Sequence, residues 1–197
     1  LLAQMDEYVQ PGDNFAQPLR PEWYRHLPIK DWAERLKDAA PYFADYLRYV
    51  DDSPYWWRIS VPRHVEHVGV PMYHVSSWYD IFLEGALDAY QGIKEHSSSP
   101  QARRGQHLVL GPWSHLFPYV EPNSQGTGDI DYCPESLVDL HTRQLRWFDY
   151  WLKDIETGIM EESPVTLFVM GENRWRTLED WPPPSARYVP YYLHDQG

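Results

Sequence analysis

Val70-Pro-Met-Tyr-His-Val-Ser-Ser-Trp-Tyr-Asp80 and, after an intervening stretch, His107-Leu-Val-Leu-Gly-Pro-Trp-Ser-His115 decide how this chain is read. Each is a short apolar run that stops abruptly at a polar or special-conformation turn. The first delivers a carboxylate, Asp80, and the second an imidazole, His115. Between them Leu83, Ala86, Leu87, Tyr90 and Ile93 recur at helical spacing, which predicts a helix of roughly four turns. The pattern is strand, helix, strand. It predicts two parallel neighbouring strands that present Asp and His at their C-terminal ends, where open α/β sheets hold their ligands.

That chain order, acid and then base, is the order of the last two members of an α/β-hydrolase triad. A triad needs a nucleophile, a base within hydrogen-bond reach and an acid that fixes the base's tautomer. Asp80 would hold Nδ1 of His115, leaving Nε2 to take a proton from serine and return it to the leaving group. Asp80 also suits the start of the helix after Phe82, as an N-cap. No two glycines of the 197 residues frame a serine as Gly-x-Ser-x-Gly, so no nucleophile elbow is present. Ser76, Ser77 and Ser114 lie beside the motifs but not on such a turn. The serine is expected upstream of Leu1, in a longer protein of which this chain is an inactive piece.

Working outward, residues 1–28 are punctuated by Pro11, Pro18, Pro21 and Pro28 and read as irregular connection. Asp31 to Ala40 and then Tyr42 to Val50 carry helical patterns, with Pro41 suited to a first helical position. Beyond His115, Phe117 to Tyr132 reads as a long loop. Pro134 then opens a helical run in which Leu137, Leu140, His141, Gln144, Leu145, Phe148, Trp151 and Leu152 form one stripe, predicted to cover a face of the sheet. From Ser163 the period becomes two: Val165 to Met170 and Tyr188 to His194 are strand-like, separated by turn residues and Pro182-Pro-Pro184. So few strands cannot close a sandwich. The boundaries drawn are 1–66 for helices preceding the sheet, 67–158 for the α/β domain and 159–197 for the start of a β domain.

Composition narrows the partners. A net charge of −12 offers no basic stripe for nucleic acid. No apolar run approaches the roughly 18 residues of a membrane span, and the lone Cys133 excludes an intrachain disulfide framework. Aromatics make up 16% of the chain, which implies a thick core or a ring-lined cleft. Tyr55-Trp56-Trp57 could form a sugar-stacking platform, so a non-catalytic carbohydrate-binding module is the rival reading. His64, Glu66, His67 and His74 lack the helical His-x-x-x-His spacing and any cysteine support. They read as surface or strand histidines, and neither metal nor cofactor is expected.

Trp78-Tyr-Asp80 followed by Gly111-Pro-Trp-Ser-His115 resembles the Xaa-Pro dipeptidyl-peptidase-like hydrolases, a group that includes the cocaine-esterase-like (CocE/NonD) acyl hydrolases. Leu27-Pro28, Tyr42-Phe43-Ala-Asp45-Tyr-Leu47 and Tyr55-Trp56-Trp57-Arg58 are similar to the exit of that family's helical cap, and Gly171-Glu-Asn-Arg-Trp175 to the opening of its jelly-roll domain. The resemblance implies the C-terminal half of an α/β-hydrolase domain, flanked by the end of a helical cap and the start of a β jelly-roll domain. It implies a serine hydrolase with Asp80 and His115 catalytic, acting on a small-molecule ester, amide or short-peptide substrate. Trp78, Trp113 and Phe82 would line the substrate site, and the full-length protein could be a homo-oligomer. The α-amino-acid ester hydrolases of the family place carboxylates two and three positions after the triad Asp, where this chain has Phe82 and Leu83. Phe82 instead matches the acyl-pocket aromatic of cocaine-esterase-like members. Ser77 departs from the glycine usual in the family. A dipeptidyl-peptidase is the alternative within the family, although Trp78-Tyr-Asp80 does not reproduce its Asn-Asp-Trp-type setting.

Overall fold

The computed structural model describes residues 25–38, 40–115, 126–127, 129–132 and 134–193. The chain separates into two compact units, divided between Ser60 and Val61. In the first, a 3-10 turn at Ile29–Asp31 runs into α1 (Trp32–Arg35), followed by α2 (Phe43–Arg48) and α3 (Pro54–Trp57). These helices are shorter than the sequence pattern predicts. Their cohesion comes from rings: Tyr49 stacks on Tyr55 at 4.3 Å and Tyr46 meets Trp56 at 5.1 Å. Arg58 lies over the Tyr55 ring, and the Tyr55 hydroxyl donates to Asp45.

The second unit is built on a four-stranded sheet. Strand β1 (Met72–Tyr79) leads through α4 (Leu83–His96) and α5 (Pro100–Arg104) to β2 (Gln106–Ser114). Two-residue strands β3 (Gly126–Thr127) and β4 (Ile130–Asp131) pair antiparallel. Helix α6 (Leu140–Lys153) then leads to β5 (Val165–Val169) and β6 (Arg174–Leu178). The sheet order is β1-β2-β5-β6, with β1, β2 and β5 parallel and β6 antiparallel to β5. This is a mixed α/β fold with a mostly parallel sheet.

Strand β2 is buried along almost its whole length, as expected for a central strand covered on both faces. On one face Leu108, Leu110, Val165 and Leu167 pack with Tyr90 of α4. On the other, Val109 and Trp113 pack with Leu140 of α6. Helix α4 matches its expected length, and α5 is capped by the Ser99 hydroxyl, which accepts from the Ala102 N–H.

Three expectations are corrected. The helical run does not begin at Pro134: a 3-10 turn at Pro134–Ser136 precedes α6, whose cap is the Asp139 carboxylate accepting from the Thr142 N–H. Its expected apolar stripe is largely uncovered: Leu140 is buried, but Leu145, Phe148 and Leu152 are exposed, and the buried indole is that of Trp147, outside the stripe. Second, the segment Phe117 to Tyr132 is not all loop: β3 and β4 lie within it, while residues 117–125 and 128 lie outside the described residues. Strand β5 pairs parallel with β2, so one sheet holds strands from both sides of the boundary drawn at 158/159. Period-two hydrophobicity identifies a strand but says nothing about its partner. Third, Tyr188 to Leu193 form no strand and lie exposed, since no strand among the described residues pairs with them; His194 lies outside the described residues.

Candidate active site

Strands β1 and β2 pair in regular register from Met72 with Gln106 to Ser77 with Gly111, and then the register shifts so that Tyr79 opposes Ser114. Across this interval β2 carries one residue more than β1, around Pro112, which has no N–H to give to a ladder. The shift has a direct consequence. Had the first register continued, Ser114 would stand abreast of Asp80; with the extra residue, His115 does.

The two side chains meet. Nδ1 of His115 lies 3.1 Å from Oδ1 of Asp80. The same oxygen accepts the Phe82 N–H at 2.8 Å, and the Asp80 N–H donates to the Ser77 carbonyl. Asp80 is therefore held by the turn it belongs to before the imidazole reaches it. Its side chain thus caps the turn that leads into α4, as expected from the sequence, although the residue directly before the helix is Phe82. A carboxylate oxygen accepts from a ring N–H, so the contact suits the tautomer with its proton on Nδ1, which leaves Nε2 as the accepting nitrogen. The carboxylate is largely buried, with 10% of its side-chain surface exposed against 34% for the imidazole. The arrangement can take up a proton at Nε2 while the buried carboxylate balances the charge that develops on the ring.

The expected neighbours divide. Phe82 sets its ring edge-on to the His115 ring with centroids 5.2 Å apart, and is exposed. Trp113 lines a cavity of about 20 Å³, room for one water, together with Val75, Ser76, Ser77, Asp80, Ser114 and His115. Its indole N–H donates to the Ser136 carbonyl, and its ring lies over Gly111, where an added Cβ would come within 2.2 Å of ring carbons. Gly111 is thus required by the approach of Trp113. Trp78 is not part of this group. It projects to the opposite face of β1, packs against Trp181 and donates its N–H to the Phe168 carbonyl at 2.7 Å.

Sequence reasoning did not single out Tyr79 or Tyr132. Their hydroxyls meet at 2.7 Å, and burial, then the Tyr79 bond, push the Tyr132 phenol up to about 12. The pair ties the end of β1 to the segment after β4, and no local pattern announces a contact across 53 residues. The Ser76 and Ser77 hydroxyls are buried and have no hydrogen-bond partner among the described residues. By strand alternation Ser77 shares the face of Val75 and Trp113, toward the cavity.

Residues 1–117, which include both Asp80 and His115, match the model of the X-Pro dipeptidyl-peptidase (S15) family. The chain belongs to the S15 family. Residues 157–197 match the X-Pro dipeptidyl-peptidase C-terminal non-catalytic domain. That match begins close to the boundary drawn at 159, although its first strand, β5, belongs to the parallel sheet. Among S15-related sequences, a Mycobacterium bovis protein named as a serine esterase is 30% identical over 156 residues, covering 79% of this chain and 22% of that protein. The cocaine esterase of a Rhodococcus species is 28% identical over 147 residues, covering 75% of the chain and 24% of the enzyme. A Bacillus anthracis protein named as an Xaa-Pro dipeptidyl-peptidase is 49% identical over 52 residues, 26% of this chain and 8% of that protein. A crystal structure of an aminopeptidase from the marine sediment archaeon Thaumarchaeota archaeon superposes with a TM-score of 0.66 over 84% of this chain and 26% of its own, at 22% identity, and so shares the fold. The chain spans about a quarter or less of the length of these relatives.

Proposed function

We propose that Asp80 and His115 are the acid and base of a serine-hydrolase triad acting on acyl esters or amides, most like that of cocaine-esterase-type acyl esterases. In this reading residues 67–158 are the C-terminal half of an α/β-hydrolase domain, 1–66 the end of its helical cap and 159–197 the start of a jelly-roll domain. The observation that carries it is the 3.1 Å contact between Asp80 and His115 at the C-terminal ends of adjacent parallel strands. The serine comes from residues beyond these 197, since none of them forms an elbow. Its Oγ bonds to the substrate carbonyl carbon as Nε2 of His115 takes its proton. That proton passes to the departing alcohol or amine as its bond to the acyl carbon breaks; water, deprotonated by the same nitrogen, then bonds to the acyl carbon, and the serine oxygen leaves with the proton as the acid is released. Phe82, exposed beside the imidazole, lines the acyl side.

An esterase is favoured over a dipeptidyl-peptidase because the esterase-named relatives match three quarters or more of the chain, whereas the peptidase-named one matches 26%. A sugar-binding module is disfavoured by the rings that would form its platform. Tyr55 and Trp56 stand at 86° to each other and Tyr55 is stacked on Tyr49, so they offer no common flat surface.

The test compares this chain with a longer protein that contains it, on an activated aryl ester and on an Xaa-Pro anilide. The 197 residues alone should hydrolyse neither faster than their His115→Ala variant does. The longer protein should hydrolyse the ester, and His115→Ala should abolish that activity. Retained activity in that variant would overturn the assignment of the base, and turnover of the anilide alone would overturn the choice of substrate.

A further inference from the structure

Away from the Asp80–His115 pair, His64, Glu66 and His67 gather three metal-ligating groups on one exposed turn. Each offers one donor atom, and these atoms all lie within 4.8 Å of one another. Spacing alone argues against a metal here, because in an α-helix imidazoles converge at i and i+4. The backbone, however, is not α-helical. Val65–His67 is a 3-10 turn with His64 at its cap. With three residues per turn, side chains at i and i+3 lie one above the other, so His-x-x-His does in this turn what His-x-x-x-His does in an α-helix. The two imidazoles accordingly lie nearly parallel, 21° apart with centroids separated by 6.3 Å. Glu66 brings a carboxylate oxygen to 3.4 Å from Nε2 of His67.

The turn is also anchored. Val65 is buried among Ala89, Ile93 and Ala102. The Glu66 carbonyl accepts both the N–H and the hydroxyl of Ser98, and the Val68 carbonyl accepts the Ser97 hydroxyl. The backbone beneath the three ligands is therefore fixed by the core and by hydrogen bonds, and only exposed side chains need to move. Tetrahedral coordination with bonds of about 2.0–2.1 Å places donor atoms about 3.4 Å apart. Drawing donors together from 4.8 Å is within reach of rotamer changes in surface side chains.

We propose that His64, Glu66 and His67 form a binding site for a first-row divalent transition cation, Zn²⁺ as the probe, with two imidazoles, one carboxylate and solvent completing the shell. Borderline nitrogen and oxygen donors suit Zn²⁺, Ni²⁺ and Cu²⁺ rather than Mg²⁺ or Ca²⁺. The site is independent of the hydrolase reading, since none of its residues lines the Asp80 cavity.

The experiment is calorimetric titration of the untagged chain with Zn²⁺, repeated with Mg²⁺ as a control. One equivalent should bind with micromolar affinity, and His64→Ala and His67→Ala should each weaken it by about tenfold or more, with Glu66→Gln weakening it less. His141→Ala, at another exposed histidine, should leave it unchanged. A second readout uses Cu²⁺ at substoichiometric ratio, which should broaden the imidazole NMR signals of His64 and His67 before those of His26, His96 and His141. No saturable Zn²⁺ binding, or unchanged affinity in the His64→Ala and His67→Ala variants, would overturn the site. Equal broadening of all exposed histidines would reduce it to nonspecific surface binding and overturn it as well.

Discussion

His107 and His115 lie near opposite ends of the same strand, and the difference between them shows how one side chain serves two ends. His107 is buried, stacked against Tyr73 and set beside Trp147. Burial pulls its imidazole down to about 4, with Glu162 pushing upward and Arg143 adding to the depression. It is a neutral ring in a core. His115 keeps a third of its side-chain surface open and faces a buried carboxylate. Nothing in the two residues differs; the neighbours do. A packed aromatic wall makes an imidazole apolar filler, whereas one carboxylate and one open edge leave it able to exchange a proton with a ligand.

The strongest way to break this contrast is at the open end. In protein that supplies the serine, Asp80→Asn should keep the fold but lower kcat by about 10⁴-fold, because the amide no longer selects the Nδ1–H tautomer. Steady-state kinetics on an aryl ester measures it, and a loss below tenfold would mean that Asp80 only shapes the turn.

The buried end is tested by pH. The folded-state value for His107 lies below its unfolded one, so between about 6.5 and 4 the unfolded chain binds more protons and stability falls on acidification. The depression corresponds to about 3 kcal/mol, present above the unfolded value and lost as pH drops toward 4. His107→Phe, which keeps a ring between Tyr73 and Trp147, should flatten the urea-midpoint profile across this window. An unchanged profile would show that another group carries the pH dependence.

Gly111→Ala sharpens the comparison from between the two histidines. The added methyl would meet the Trp113 ring and force it off its place over the strand, at a cost of about 1–3 kcal/mol. It should also loosen the Asp80–His115 contact, so the His115 imidazole chemical shifts should change together with the denaturation midpoint. The smallest effect is expected at Ser77. Its hydroxyl is buried and has no hydrogen-bond partner among the described residues, so Ser77→Ala should change stability by less than about 1 kcal/mol, and toward stabilisation. A loss larger than that would reveal a hydrogen bond through the neighbouring cavity.

Local pattern carried the central unit a long way. Helical spacing between Leu83 and Ile93 and the two apolar runs around it were enough for strand, helix, strand, and the chain order of Asp80 and His115 was enough for the candidate pair. Trp78 went astray for a definable reason. Sequence proximity to Asp80 suggested the site, but alternation along β1 turns its indole to the opposite face, toward Trp181 and the Phe168 carbonyl.

What the sequence by itself determined is therefore whatever depends on composition or on a residue and its near neighbours: the periods of the helices and strands, the absence of an elbow serine from these 197 residues, the net charge of −12. Only the tertiary structure decided which strands become neighbours. It placed β5 beside β2, and it left Leu145, Phe148 and Leu152 uncovered although they share a stripe with buried Leu140. It also shifted the β1–β2 register by one residue, so that His115 rather than Ser114 stands opposite Asp80. The physical reason is the same in each case. Period and propensity are properties of a segment, but pairing, register and burial belong to two segments at once, and the chain between them does not encode the contact locally.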